Sequence, residues 1–208
     1  VAVAARRRLT GKQREQQLLD VAENLFTERG YEGVSVEDIA RAAGVSRPVV
    51  YQHHGSQEGI FVACVRRARQ EFEDTLATAI STAGGDMDEL ITAGGRVFLE
   101  LVANNPRRWA LLFTSSSGLG GDMAEQLIKL RRHTVERIAD VASPHAVGLD
   151  RPSLLAAAHV ISGIGEQLGH WWLAHPDEDL DHVLRMYVAA VGGAVRGLLT
   201  VYEDLNRP

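Results

Sequence analysis

The sequence predicts an all-helical protein of about nine helices, with a small N-terminal domain and a larger C-terminal one. Three observations carry that reading. Apolar residues recur at helical spacing along most of the chain. No stretch alternates apolar and polar residues as a half-buried strand would. The breaks between apolar segments are short and have local mechanisms: Gly84-Gly85, Asn104-Asn105-Pro106, Ser143-Pro144 and His175-Pro176.

The elements follow in order. Thr10-x-x-Gln13 resembles a capping box, which opens the first helix. Leu18, Val21, Ala22, Leu25 and Phe26 then form one apolar stripe, and Gly30 ends it. Ser35 caps a second helix whose first turn holds Glu37 and Asp38, where the helix dipole favours acidic groups. Ile39, Ala40 and Ala43 are its apolar face. Gly44 stops it, because glycine takes a left-handed conformation without strain. Val45 plugs the turn, Ser46 caps a third helix, and Pro48 is tolerable in that helix's first turn. Ser56 opens a long fourth helix with Ile60, Phe61, Cys64, Val65, Ala68 and Phe72 on its inner side. Further helices are expected over 86–103, 106–115, 122–142, 152–174 and 177–202. The SSSGLGG stretch is a flexible connector; it lacks the flanking strand and Gly-Lys-Ser/Thr of a phosphate loop.

Two short helices around a glycine turn are what a helix-turn-helix requires, with the second helix entering the DNA major groove. From about Glu15 to Ile60 the chain resembles the DNA-binding domain of the tetracycline-repressor (TetR) family of transcription regulators. The matching residues are Leu25-Phe26, Gly30-Tyr31, Val34-Ser35-Val36, Ile39-Ala40, Ala43-Gly44-Val45-Ser46, Val50-Tyr51 and His53. Two positions depart from the pattern: the aromatic residue that commonly follows Tyr-x-His is His54, and the lysine that often opens the fourth helix is Gln57. The resemblance implies domains at 1–55, for DNA binding, and 56–208, for ligand binding and dimerisation. It also makes 56–83 the lever between them.

The DNA-facing candidates are Ser35, Ser46, Arg47, Pro48, Val49, Tyr51, Gln52 and His53. Arg47, in the first turn, can reach guanine or a phosphate; Val49 can meet a thymine methyl; Gln52 has the groups to pair with adenine. By the resemblance, Tyr51 and His53 contact phosphates. Backbone N–H groups near Ser35 and Ser46 can bind phosphate as well. For Tyr51, packing against the first helix is the alternative, and the two are compatible.

The charge balance fits this division. The net charge is −5. Residues 1–54 carry eight Lys/Arg against seven Asp/Glu, whereas the remainder is clearly acidic. Arg6, Arg7, Arg8, Lys12 and Arg14 cluster near the start, for DNA contact or as a solubilising tail. One cysteine, Cys64, excludes an internal disulfide and fits a cytoplasmic, nucleoid-associated protein. Its readings are a buried apolar residue or a redox sensor. No apolar run is expected to reach the length of a membrane span, and no signal peptide or cofactor motif is evident.

The last two helices are rich in small residues, among them Gly163, Gly165, Gly169, Gly192, Gly193 and Gly197. Glycine inside a helix costs about 1 kcal/mol relative to alanine, so a packing reason is expected. A homodimer built on these two helices supplies one; a purely intramolecular core is the alternative. On the eighth helix His159, Ser162, Glu166 and His170 share a face within about 80°. That stripe lines a ligand pocket, forms a polar seam of the dimer, or faces solvent. As a pocket its Glu166 and His170 would select ligands that donate hydrogen bonds or carry positive charge. Phe98, Trp109 and Phe113, with Leu101, Leu112, Leu127, Leu130, Arg131 and Thr134, would be its walls, suiting a partly apolar effector. A metal held by His159, Glu166 and His170 lacks a further anchored ligand.

The expected function is a transcription regulator, a ligand-responsive repressor that binds a near-palindromic, double-stranded DNA operator as a dimer. A small helical enzyme using His159, Ser162 and Glu166 is the rival, although groups on one stripe project in parallel and a triad must converge. A regulator without a small-molecule ligand is a third reading.

Overall fold

The computed structural model describes residues 9–113, 121–146 and 148–205. Arg6, Arg7, Arg8 and most of the SSSGLGG connector lie outside the described residues. Among those described, the chain forms nine α-helices, one short 3-10 turn at Ser143–His145 and no strand. The helices are α1 (Gly11–Arg29), α2 (Val36–Ala43), α3 (Arg47–His54), α4 (Gln57–Thr82), α5 (Met87–Asn104), α6 (Pro106–Leu112), α7 (Gly121–Ala142), α8 (Arg151–Leu173) and α9 (Leu180–Leu205).

Local chemistry sets most of these ends. Thr10 and Gln13 form a reciprocal capping box, as do Ser35 and Asp38. Gly44 adopts φ 64°, ψ 40° and closes α2. Ser46 occupies the N-cap position of α3 but its hydroxyl makes no cap bond, so the expected capping is not made there. Two ends differ from the sequence expectation. The start of α9 lies at Leu180 rather than 177, because Asp179 accepts the His182 N–H and because the Trp172 indole holds the Glu178 carbonyl at 2.8 Å. The end of α6 lies at Leu112 rather than 115, and the Leu112 carbonyl is taken by the Arg69 guanidinium on α4.

The helices build two main cores. The first joins Leu18, Ala22 and Phe26 of α1 to Val36 and Ile39 of α2, Val50 of α3 and Ile60, Phe61 and Val65 of α4. Phe26, Tyr31 and Phe61 pack ring on ring within it. Leu111 of α6 and Met123 and Leu127 of α7 enter the same core. The N-terminal unit is therefore packed directly onto the body through α4, α6 and α7. Ion pairs lie along that joint: Arg67 of α4 with Asp20 and Glu23 of α1, and Arg108 of α6 with Glu23. The second core belongs to the body and gathers Leu99, Val102, Trp109, Trp172, Val183 and Val191 from α5, α6, α8 and α9.

One expectation is corrected here. The stretch Leu180–Tyr202 of α9 is, by length and composition, apolar enough to span a bilayer, with a mean hydropathy of 1.3. The single charges that interrupt it, such as Arg185 and Arg196, hid this in the sequence. One side of α9 is built into the second core.

Candidate DNA-reading face and ligand cavity

On α3, one residue anchors and the others project. Val50 is fully buried and fastens the helix to the first core. Ser46, Arg47, Pro48, Tyr51 and Gln52 are exposed, Tyr51 by 49% despite its size. An aromatic ring left half in water on a helix-turn-helix is unusual for a residue whose role is packing, so the alternative of burial against α1 does not hold for the whole ring. Val49 and His53 are half-buried and reach the surface less fully. Arg47 makes an exposed pairing with Glu37 at 3.6 Å, weak enough for the guanidinium to exchange it for another anion. Ser35 is different. Its N–H and its hydroxyl both donate to the Asp38 carboxylate, whose pKa these bonds lower. In this structure Ser35 therefore serves as the cap of α2, with the Asp38 carboxylate held beside it.

The two departures from the family pattern also find places. Gln57 donates to the Tyr31 carbonyl at 3.2 Å, tying the start of α4 to the α1–α2 turn. His54 is half-buried with its Nε2 enclosed and without a partner. Burial pushes its pKa down, and neighbouring His53 adds to that effect. Cys64 is fully buried and its thiol donates to the Leu19 carbonyl. Burial raises the thiol pKa to about 12, which leaves no thiolate at neutral pH and removes the redox-sensor reading.

The body encloses a cavity of about 300 Å³ between α4, α5, α7, α8 and α9. Apolar side chains line most of it: Phe72, Leu76 and Ile80 from α4, Leu90 and Phe98 from α5, Ile138 from α7, Ile161 from α8 and Val191 from α9. Gly165 also lines it, and a Cβ there would sit 3.5 Å from both Phe98 and Tyr187. A polar cluster forms at one end, where Arg69, Arg131 and Thr134 meet Phe113, and Ser162 and His145 also line the cavity. Arg69 is 6% exposed. It donates to Thr134 Oγ1 at 3.1 Å and to the Leu112 carbonyl. Thr134 in turn donates to Glu73, itself buried, at 2.6 Å. Burial, with Arg131 nearby, brings the Arg69 pKa down to about 10, so it stays charged at neutral pH.

The structure sorts the expected pocket residues. Phe98, Phe113 and Ser162 line the cavity, and so do Arg131 and Thr134. Trp109 lies behind the wall, stacked on Phe113 with centroids 5.2 Å apart. His159 is exposed and outside the lining. His170 is exposed and packs edge-on against Trp109 rather than entering the cavity. Glu166 is bonded to Arg131 and is not part of the lining. The eighth-helix stripe is thus dispersed. Its carboxylate is paired with Arg131, which removes the expected preference for cationic ligands, and among the described residues the stripe does not converge. Arg69, Leu76, Ile80, Leu90 and Tyr187 were missed. A signal existed for the first: Arg69 is four residues from Val65 on the apolar stripe of α4, where a charge needs a reason.

The glycines of α8 and α9 also separate. A Cβ on Gly169 would lie 2.9 Å from Trp109 Cζ2, so this glycine serves an intramolecular contact and not the expected dimer. Gly163, Gly193 and Gly197 face open space. Around them Val160, Leu173, Met186, Leu198 and Val201 are exposed.

Comparison with known proteins agrees with this architecture. Residues 18–64 match the family of bacterial regulatory proteins, tetR family. The chain is 25% identical over 166 residues to the HTH-type transcriptional activator FasR of Mycolicibacterium smegmatis, covering 80% of this chain and 75% of that one. It is 34% identical over 94 residues to the HTH-type transcriptional regulator EthR of Mycobacterium tuberculosis, covering 45% of this chain and 44% of that one. The fold is similar to the crystal structure of the transcriptional regulator FadR from Bacillus subtilis in complex with stearoyl-CoA, with a TM-score of 0.67, 15% identity and coverage of 85% and 95%. With its helix-turn-helix anchored by Val50 and its reading face turned outward, the chain is a DNA-binding transcriptional regulator whose residues 18–64 match the tetR family of bacterial regulatory proteins.

Proposed function

We propose that this regulator is a ligand-responsive repressor that binds a near-palindromic operator as a homodimer. The observation that carries the reading is the outward row of Arg47, Tyr51 and Gln52 on a helix locked by Val50. Such a row delivers side chains to base edges and phosphates from a fixed frame. The open faces of α8 and α9 support the dimer. Their exposed apolar residues surround Gly163, Gly193 and Gly197, where a second helix can approach closely. A two-fold pair of heads then meets half-sites about 34 Å apart. The cavity supports an effector that is largely apolar. In this reading its entry moves α4 and α6, and with them α1, so that the heads leave the operator. FadR with stearoyl-CoA shows that a body of this fold can hold an amphiphile in another protein.

The test is a gel shift at several salt concentrations against DNA selected by the protein from random sequence. Arg47→Ala and Tyr51→Ala should each weaken binding by about 1–3 kcal/mol. Loss of a phosphate contact also flattens the salt dependence. Their thermal melts should stay close to wild type, because neither side chain is buried. Unchanged affinity in both variants sinks the reading.

A further inference from the structure

Resting on the effector reading above, we propose that the cavity takes a single-chain amphiphile whose terminal carboxylate binds Arg69 and loosens the α6 contact with the head. The cavity is chemically polarised. Most of its length is apolar, with Ser162 and His145 as polar side chains outside the group at one end, where two guanidinium groups, Arg69 and Arg131, and the Thr134 hydroxyl are presented. The two nearby carboxylates, Glu73 and Glu166, are absent from the lining. An occupant at that end therefore meets cations, with the balancing anions behind the wall.

Arg69 is the unfinished group. Its two terminal nitrogens are bonded to Thr134 and to the Leu112 carbonyl, and among the described residues no carboxylate bonds it directly. Its Nε is buried and has no partner. A buried guanidinium with an open N–H is an incomplete site, because such a group needs both charge compensation and its hydrogen bonds. A carboxylate answers both needs, and its planar pair of oxygens matches the guanidinium edge. Arg131 is already bonded to Glu166, so it adds field more than a free donor. A single negative charge suits one unfinished arginine.

The apolar length sets the tail. From Arg69 to Ile80 the lining follows α4 for eleven residues, roughly 16 Å at the helix rise. An extended chain advances about 1.3 Å per bond, so a tail of about twelve carbons matches. Phe72, Leu76 and Ile80 on one side and Ile138 and Ala142 on the other line that path.

The same arginine connects the site to the head. Leu112, whose carbonyl it holds, is the last residue of α6. The neighbouring Leu111 packs in the N-terminal core, and Arg108 of the same helix pairs with Glu23 of α1. An anion that turns the Arg69 guanidinium competes with the Leu112 carbonyl for its donors. The end of α6 is then released at the point where it supports α1.

Calorimetric titration of the full chain with dodecanoate, methyl dodecanoate and 1-dodecanol, below their aggregation concentrations, tests this. The three probes share a tail and differ in the head group. Dodecanoate should bind about tenfold to a hundredfold more tightly than the ester or the alcohol. Arg69→Met should erase most of that preference, and dodecanoate should release selected DNA from the wild type. If Arg69→Met fails to fold, the head-group series on the wild type decides alone. Equal or tighter binding of the ester or alcohol overturns the carboxylate proposal and leaves an apolar effector site. Binding of none of the three overturns it together with the long-chain form of the effector reading. Tight dodecanoate binding without release of DNA overturns the coupling through α6.

Discussion

The reading face on α3 and the cavity in the body are built in opposite ways. The face is carried by one eight-residue helix, and one buried valine orients its outward side chains. The cavity draws on five helices, and residues more than a hundred positions apart share its wall. A local site depends on caps and turns, and each fault in it is local. A distributed site depends on where helices stop and how closely they approach, so small packing changes at a distance reshape it.

The largest way to break this comparison is to attack the frame of the local site. Ile39 is fully buried under the helix-turn-helix. Ile39→Ala should cost about 2–5 kcal/mol and abolish DNA binding by unfolding the head, unlike Tyr51→Ala. Urea denaturation followed by helix signal measures it; a cost below 1 kcal/mol would mean that the head tolerates a loose core.

The distributed site is sharpened by two glycines on its outer helices. Gly169→Leu should overpack against Trp109, costing about 1–3 kcal/mol of fold stability. Gly193→Leu meets open space in one chain, so its melt should stay near wild type while light scattering shows a weakened dimer. Reversed outcomes would exchange the roles of core and interface.

Smaller effects test the local chemistry. Ser35→Ala removes a capping box and should cost about 1 kcal/mol by chemical melt. No loss there would mean Asp38 caps the helix unaided. His54 adds a pH dependence with a definite sign. Its folded pKa is depressed by burial, so the unfolded chain takes the proton first. Stability from this site is present above the ordinary imidazole pKa of about 6.5 and is lost as pH falls through the folded value. His54→Phe should flatten that part of the stability profile between neutral and mildly acidic pH; an unchanged slope would assign the dependence to other groups.

Much of the head was legible without a structure. Thr10 with Gln13, Ser35, Gly44 and the placing of Pro48 act within a few residues, so spacing alone carries their effect. The outward residues of α3 follow from its buried valine and helical periodicity. Ser46 illustrates the limit, since its type suits a cap and its hydroxyl makes no cap bond.

By itself the sequence determined the helical class and the helix-turn-helix, because these rest on short-range hydrogen bonding and on apolar periodicity. Tertiary structure alone decided which polar groups face the cavity. Glu166 and Arg69 are each a charge on a largely apolar helix face, and periodicity gives both a face but not a neighbour. Arg131, thirty-five residues from Glu166, neutralises one of them. Thr134 and the end of α6 enclose the other and leave its Nε open. Burial and pairing across helices, which depend on three-dimensional distance, made the first a strut and the second a site.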